Sequence, residues 1–254
     1  MKITILGSGT STGVPQIGCK CEVCTSTDPR DCRMRASAMV ETDEGVRLLI
    51  DCGPDFREQM LRFDDFRPID GVLLTHEHYD HVGGVDDLRP YCAYGDMMLY
   101  GDELTVSAIR MRMPYCFREN PYPGIPRIAL EAVSPHRAFE IKGVRVMPIQ
   151  VMHGRLPILG YRIGPLAYMT DLKSLPDSEW CLLEEVECLI VNALRMQAHD
   201  SHQNLDDALK LAARVGAKET YFIHMSHQIG LHAEVSCALP PHVHLTYDGM
   251  VIMC

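Results

Sequence analysis

Thr75-His76-Glu77-His78-Tyr79-Asp80-His81 places three imidazoles and a carboxylate within six residues. It directly follows Gly71-Val72-Leu73-Leu74, an apolar run without alternation, which predicts a strand over Gly71 to Thr75 covered on both faces. A tight turn after a strand aims alternate side chains at two neighbouring points, and imidazole suits borderline cations such as zinc. One segment therefore begins two metal sites, neither complete without donors from elsewhere. His153, Asp171 and His224 are the candidates to complete them. They follow Val144 to Val151, Leu166 to Thr170 and Tyr221-Phe222-Ile223, each read as a strand, and strand ends on one edge of a sheet converge.

Outward from this core, Ile3-Thr4-Ile5-Leu6 reads as a strand that delivers the loop Gly7-Ser8-Gly9-Thr10-Ser11-Thr12-Gly13. The loop lacks the Gly-Lys-Ser/Thr ending of a nucleotide cradle, so it is read as a turn beside a site. Ser37 to Glu41 and Arg47 to Asp51 predict a hairpin, and Pro54 to Phe63 a helix with Pro in its first turn. Tyr91 to Pro135, rich in Pro, Tyr and Met, predicts loops and one helix. Helices are expected at Ser178 to Val186 and Asn204 to Val215, and strands at Cys188 to Ala193 and Leu245 to Met253, the latter turned as a hairpin by Asp248-Gly249. Two β-rich halves flanked by helices predict sheets packed face to face with helices outside. With no linker or low-complexity stretch, residues 1–254 are read as one domain.

The chain has 254 residues, of which 46% are hydrophobic and 23% charged, which fits a soluble globular protein and excludes disordered, collagen-like and coiled-coil classes. A formal charge of −10 disfavours a nucleic-acid polymer as partner. No apolar run reaches the ~18 residues of a membrane span, and no signal peptide is read at Met1-Lys2, so a cytoplasmic location is expected. Eleven cysteines, an odd number, suit free thiols and metal ligands better than a disulfide framework. The Met and aromatic residues of Tyr91 to Tyr122 are expected in the core, with a homodimer contact as the alternative.

The order H-x-H-x-D-H, then a distant His, Asp and His, resembles the metallo-β-lactamase superfamily over most of the chain. The resemblance implies an α/β fold, an αββα sandwich of two mixed β-sheets flanked by helices. It implies two catalytic divalent ions, zinc or manganese with iron as a further option. His76, His78 and His153 would hold one ion, Asp80, His81 and His224 the other, and Asp171 would bridge them. Asp51, at the end of the strand Arg47 to Ile50, is read as a carboxylate that orients a ligand imidazole, or equally as the start of the Cys52-Gly53-Pro54 turn.

Gly18-Cys19-Lys20-Cys21-Glu22-Val23-Cys24 is a C-x-C-x-x-C run that suits one closed tetrahedral zinc within a Cys-rich loop at about 18–32. The residues leave the fourth ligand open between Cys32 and His227. Within the superfamily, such a loop with one distant His resembles the PhnP-like phosphodiesterase branch, as do Leu6-Gly7-Ser8-Gly9-Thr10, Gly13-Val14-Pro15, His224-Met225-Ser226-His227 and Asp248-Gly249-Met250. That resemblance implies a structural zinc on Cys19, Cys21, Cys24 and His227. A closed site of this kind leaves no position for substrate.

Two cations ~3.5–4 Å apart share a hydroxide, lower the pKa of attacking water toward ~7 and stabilise in-line displacement at phosphorus. Asp80, as a ligand at the centre, and His202 are the catalytic candidates. By the resemblance, His202 lies near the leaving group as general acid or as donor to a phosphoryl oxygen, with His199 its nearest competitor. Arg33 and Arg35 are candidates to clamp a substrate phosphate, ahead of Arg195 and Arg57. The branch implies a small phosphodiester substrate, in particular a cyclic phosphate such as phosphoribosyl 1,2-cyclic phosphate. The alternatives are a PqqB-like oxygenase or hydroxylase, which would require iron, and a non-catalytic metal-binding module. Ribonuclease Z shares the catalytic pattern, but its long basic arm has no counterpart here.

Overall fold

The computed structural model describes residues 1–119 and 122–254. Its first half runs through β1 (Lys2–Gly7), β2 (Ser37–Glu41), β3 (Arg47–Ile50), α1 (Phe56–Phe63), β4 (Gly71–Leu73), α2 (Tyr79–Val82), β5 (Met97–Gly101), α3 (Glu103–Arg112) and β6 (Ile128–Ala132). The second half contributes β7 (Phe139–Ile141), β8 (Val144–His153), β9 (Leu156–Ile163), β10 (Leu166–Met169), β11 (Cys188–Asn192), α4 (Leu205–Val215), β12 (Glu219–Ile223), α5 (His232–Ala238) and β13 (Val243–Leu245). A last strand, β14 (Val251–Met253), returns to the first half. Among the described residues no helix is long and apolar enough to cross a membrane.

Two seven-stranded mixed sheets result, ordered β14-β1-β2-β3-β4-β5-β6 and β13-β12-β11-β10-β9-β8-β7. Why the key strands lack alternation is visible in β3, where all four residues are buried. Leu48 and Ile50 face the second sheet, alongside Tyr161, Ile163, Tyr168 and Ile190. Leu49 points the other way, to a layer with Phe56 of α1, Val72 and Leu99. Each such side chain contributes about 1.5–3 kcal/mol by leaving water, so a strand apolar on both faces is stable only as the filling of a sandwich. The outer face of the second sheet is covered by Leu205 and Ala208 of α4 and Val235 of α5. Asn204 caps α4 by accepting the Asp207 N–H at 2.9 Å, and Gly216 ends it at φ 67°, as expected of a helix bounded by Asn and Gly.

The functional edge follows from strand direction. β3, β4 and β5 are parallel, as are β10, β11 and β12. Their C-terminal ends lie on a common edge, where the chain turns at Asp51, at His76 and the residues after it, at Asp171 and at His224.

Four expectations change. Leu245 to Met253 is no hairpin: β13 pairs with β12 in the second sheet and β14 with β1 in the first. The Asp248-Gly249 turn instead carries the chain between sheets, with the Gly249 N–H donating to Ile5 O at 2.7 Å. In Tyr91 to Pro135, besides helix α3, two strands form. β5 lies between β4 and β6 in parallel pairing, and a Met-rich strand without β-branched residues carries little local signal. Asn120 and Pro121 of that stretch lie outside the described residues. Ser178 to Val186 is a 3-10 segment over Asp177–Leu183, held by buried Glu179, which accepts the Gln150 N–H at 3.0 Å. The first helix begins at Phe56, two residues after Pro54.

Candidate metal centre

Donor atoms of His76, His78 and His153 lie within 4.8 Å of one another, as do those of Asp80, His81, Asp171 and His224. A third group, His153, Asp171 and His202, overlaps both, so Asp171 sits between the first two sets. Three of the strand ends achieve this with left-handed backbone at non-glycine residues: φ is 59° at Asp51, 55° at Asp171 and 58° at His224. Such conformations are costly and persist where the surroundings enforce them. Gly53 lets the β3 end pack against the Asp80 carbonyl, which any Cβ there would strike.

The hydrogen bonds behind the donors set their chemistry. His81 Nδ1–H donates to Asp51 Oδ2 at 2.7 Å. The Thr75 hydroxyl donates to Asp51 Oδ2 at 2.9 Å and is therefore left to accept His76 Nδ1–H at 3.0 Å. His153 Nδ1–H donates to the Ser201 carbonyl at 3.0 Å. All three imidazoles thus turn an Nε2 lone pair inward. The Nε2 atoms of His76 and His81 are buried without a hydrogen-bond partner. His81 Nε2 faces Asp80 Oδ2 at 3.1 Å and Asp171 Oδ2 at 3.3 Å. His224 Nε2 faces Asp171 Oδ1 at 3.2 Å. Lone pairs converging on buried carboxylates repel unless positive charge lies among them, so this donor set fits divalent cations.

The charges around these groups make the same demand. Burial opposes ionisation of Asp171, yet His224, His81 and His202 hold its carboxyl well below the usual range. Burial also opposes charge on His81, but Asp171, Asp51 and Asp80 push its imidazole well above the ordinary value. His76, buried and next to His81, is pushed well below it. Asp51 is raised by burial against the pull of His81.

His202 reaches the centre: its Nε2–H donates to Asp171 Oδ1 at 2.9 Å. Burial pushes its imidazole down to about 4, against the pull of Asp171. Its Nδ1 lies 3.0 Å from Ser201 Oγ and 3.2 Å from His199 Nδ1, so His199 meets the ring nitrogen of His202 opposite the one that reaches Asp171. Thr75, Ser201 and this use of His199 are supports that motif reading missed. The only sequence signal is their adjacency to a ligand histidine or to His202.

The arginine expectations fail in part. Arg33 is a correction: its side chain is fully enclosed, with Nη2 3.3 Å from Asp31 Oδ1, and it cannot meet a substrate. Arg35 lies at the surface beside the Ser11 carbonyl, and its guanidinium binds both oxygens of Asp55. Arg195 donates to Ala198 O at 2.7 Å within its own loop and to Gln228 Oε1 at 3.1 Å in the segment after His227. Arg57 lines a separate groove with Phe56, Met60 and Tyr91.

The thiolates form a second cluster. Donor atoms of Cys19, Cys21, Cys24 and His227 lie within 4.8 Å of one another, with His227 Nδ1 at 3.5 Å from Cys19 Sγ and 3.2 Å from Cys21 Sγ. Cys32 takes no part in this group. Gln16 N–H donates to Cys24 Sγ at 3.4 Å. The Cys24 N–H and the nearby His227 lower the Cys21 thiol to about 6. Three sulfurs and one imidazole in a closed group fit zinc.

With this geometry in place, four likenesses bear on it. The model of the beta-lactamase superfamily domain matches residues 46–225. An octanoyltransferase of Porphyromonas gingivalis is 47% identical over 251 residues, 98% of this chain and 51% of that protein, so the chain spans about half the length of that relative. The crystal structure of a new diphosphatase from the PhnP family is 40% identical with a TM-score of 0.91, covering 99% of this chain and 96% of that one. Zn(2+)-bound PqqB from Methylobacterium extorquens is 18% identical with a TM-score of 0.81, a likeness of fold.

Proposed function

The chain belongs to the metallo-β-lactamase superfamily as a PhnP-like hydrolase, and from that premise we propose that it hydrolyses a small phosphodiester. The observation that carries this is the pair of donor sets meeting at Asp171, with His202 Nε2 2.9 Å from the same carboxylate. Two divalent ions bound there, zinc or manganese, would supply Lewis acidity and an activated water for in-line displacement at phosphorus. His76, His78 and His153 would hold one ion and Asp80, His81 and His224 the other. Cys19, Cys21, Cys24 and His227 would hold a structural zinc.

The protein's own groups would orient and protonate. Asp51, Thr75 and the Ser201 carbonyl fix three ligand rings, so little reorganisation is needed when substrate arrives. His202, whose Nε2 lies 2.9 Å from Asp171 Oδ1, would donate a hydrogen bond to a phosphoryl oxygen or a proton to the leaving oxygen. Arg35 is the remaining cationic candidate for a substrate phosphate, provided Asp55 releases it.

A cyclic phosphate such as phosphoribosyl 1,2-cyclic phosphate is the first substrate to try. A diphosphate is the second, because the PhnP-family relative at 40% identity is named a diphosphatase. Both present a phosphorus with two bridging oxygens. The octanoyl transfer in the name of the P. gingivalis relative stays with that protein, which is about twice this length.

The deciding experiment pairs metal content by mass spectrometry with hydrolysis of bis(p-nitrophenyl) phosphate, a cyclic ribose phosphate and a dinucleoside diphosphate, each with and without added manganese. Near three ions per chain with manganese-stimulated diesterase activity is expected. One zinc and no hydrolysis after metal reloading would overturn the proposal.

A further inference from the structure

His224 and His227 stand three residues apart yet serve different clusters. His224 turns into the His/Asp edge from the end of β12, and His227 turns into the thiolates. The segment between them is gripped on both sides. Met225, fully buried, donates its N–H to Ser8 O at 3.0 Å and accepts the Thr10 N–H at 3.1 Å. Ser226 N–H donates to Leu194 O at 2.9 Å.

The loop that supplies Thr10 is also the one that leads into the cysteines, and it pairs back on itself through Val14 and Arg33. Met225, Thr10, the Cys19–Cys24 stretch and His227 therefore form a ring that closes across the sulfur and imidazole donors, with a second tie outside it where the His232 N–H donates to Asp31 Oδ1 at 2.8 Å. Beyond His227 the ring is open: a cavity of about 640 Å³ lies beside Cys21, Val23, Gln197 and His227.

His224 holds a left-handed φ of 58°, which a non-glycine residue keeps only when the chain on both sides is fixed. Before it, the β12 ladder does this. After it, the Met225 clamp does so on a ring that the thiolate site closes.

We propose that the Cys19–Cys21–Cys24–His227 zinc positions His224, so that filling the thiolate site raises the affinity of the Asp80–His81–Asp171–His224 donor set for its ion. The claim rests on the metal reading of both clusters and is independent of the substrate. Such coupling is reciprocal and selective. His76, His78 and His153, on segments outside the ring, gain little from it.

Manganese tests this, because it prefers nitrogen and oxygen donors over thiolates. His153→Ala leaves the Asp80–His81–Asp171–His224 set, and His224→Ala leaves the His76–His78–His153 set. Each parent is titrated with manganese by electron paramagnetic resonance, with and without Cys21→Ser. His227→Gln, which keeps all three cysteines, serves as a second break of the ring, and circular dichroism verifies folding.

On the His153→Ala parent, either break weakens manganese binding by roughly tenfold or more, the scale of losing a positioning contact to a metal ligand. On the His224→Ala parent the change stays within about twofold. Equal affinity with and without the thiolate site on the His153→Ala parent would overturn the proposal, as would the same loss on both parents. A His153→Ala parent that takes up no manganese would overturn the metal reading beneath it.

Discussion

The His/Asp edge and the thiolate loop are built in opposite ways. Seven donors of the edge come from four separated segments, each at a strand end. Three of the four thiolate-site donors come from the six residues Cys19–Cys24, where the only regular structure is the 3-10 turn Val23–Thr25. At the edge, ligand rings are backed by Asp51, Thr75 and the Ser201 carbonyl, and the strands behind them belong to a packed sandwich. Protein packing therefore makes that site and the ions complete its chemistry. In the loop the donors mostly face one another, so an ion bound there would be a member of the structure.

The harshest test of this contrast is Asp171→Ala. It removes the carboxylate between the two donor sets, and turnover should fall at least about 10²-fold, the scale of losing one electrostatic contact to reacting atoms. The sheets that carry the edge do not depend on it, so far-ultraviolet circular dichroism should be unchanged. Near-wild-type turnover of the metal-loaded variant would break the assignment of the edge.

Cys21→Ala should show the reverse order of effects. Zinc content falls by one ion per chain and the melting temperature by more than about 5 °C, given roughly 2–4 °C per kcal/mol for a chain of this size. A loss of turnover with full stability and full zinc would show that the loop is no structural member.

The donors of both regions were legible in the sequence, and what holds them was not. Both donor sets stand out in the sequence because chemistry-bearing residues are contiguous, at 76–81 and 19–24, and because His153, Asp171 and His224 each follow an apolar run. The left-handed backbone at Asp51, Asp171 and His224 leaves no trace, since it is enforced by neighbouring strands and not by the residue. Arg33 and Arg35 alternate like partners on one face, yet only Arg35 is at the surface. Asp31 draws Arg33 inside, and Asp31 is itself fixed by the His232 N–H from α5 at 2.8 Å, a contact 201 residues away in sequence. Asp248-Gly249 has a hairpin signature, but which sheet receives the strands on either side of it is a matter of tertiary pairing.

A finer cut at the edge is Asp51→Asn. The amide keeps the shape but offers His81 Nδ1–H a weaker acceptor, so manganese affinity of the Asp80–His81–Asp171–His224 set should fall roughly 10–100-fold. Zinc in the thiolate loop should stay. Loss of both together would mean that the two regions fail as one unit, against the contrast drawn above.

The smallest effect is expected where the two regions share a support. Asp248 accepts the Ser8 N–H at 2.9 Å, the Ser8 hydroxyl at 2.8 Å and the Met34 N–H at 2.7 Å, and so ties down backbone next to both. Burial pushes its carboxyl up to about 6 despite these donors and the more distant Arg62. The folded protein thus binds this proton more tightly than the unfolded chain, where the value is ~3.9. Its stabilising contribution is complete below about pH 4 and is lost as the pH rises through about 6. Asp248→Asn removes that titration and also places an amide N–H against a backbone donor, which lowers stability by a constant amount. The stability of the wild type relative to the variant should therefore decline by about 1–3 kcal/mol between pH 4 and 7, read from melts at matched pH. A difference that stays flat would mean that the three donors keep the carboxylate ionised throughout, and that the shared support is held by hydrogen bonds alone.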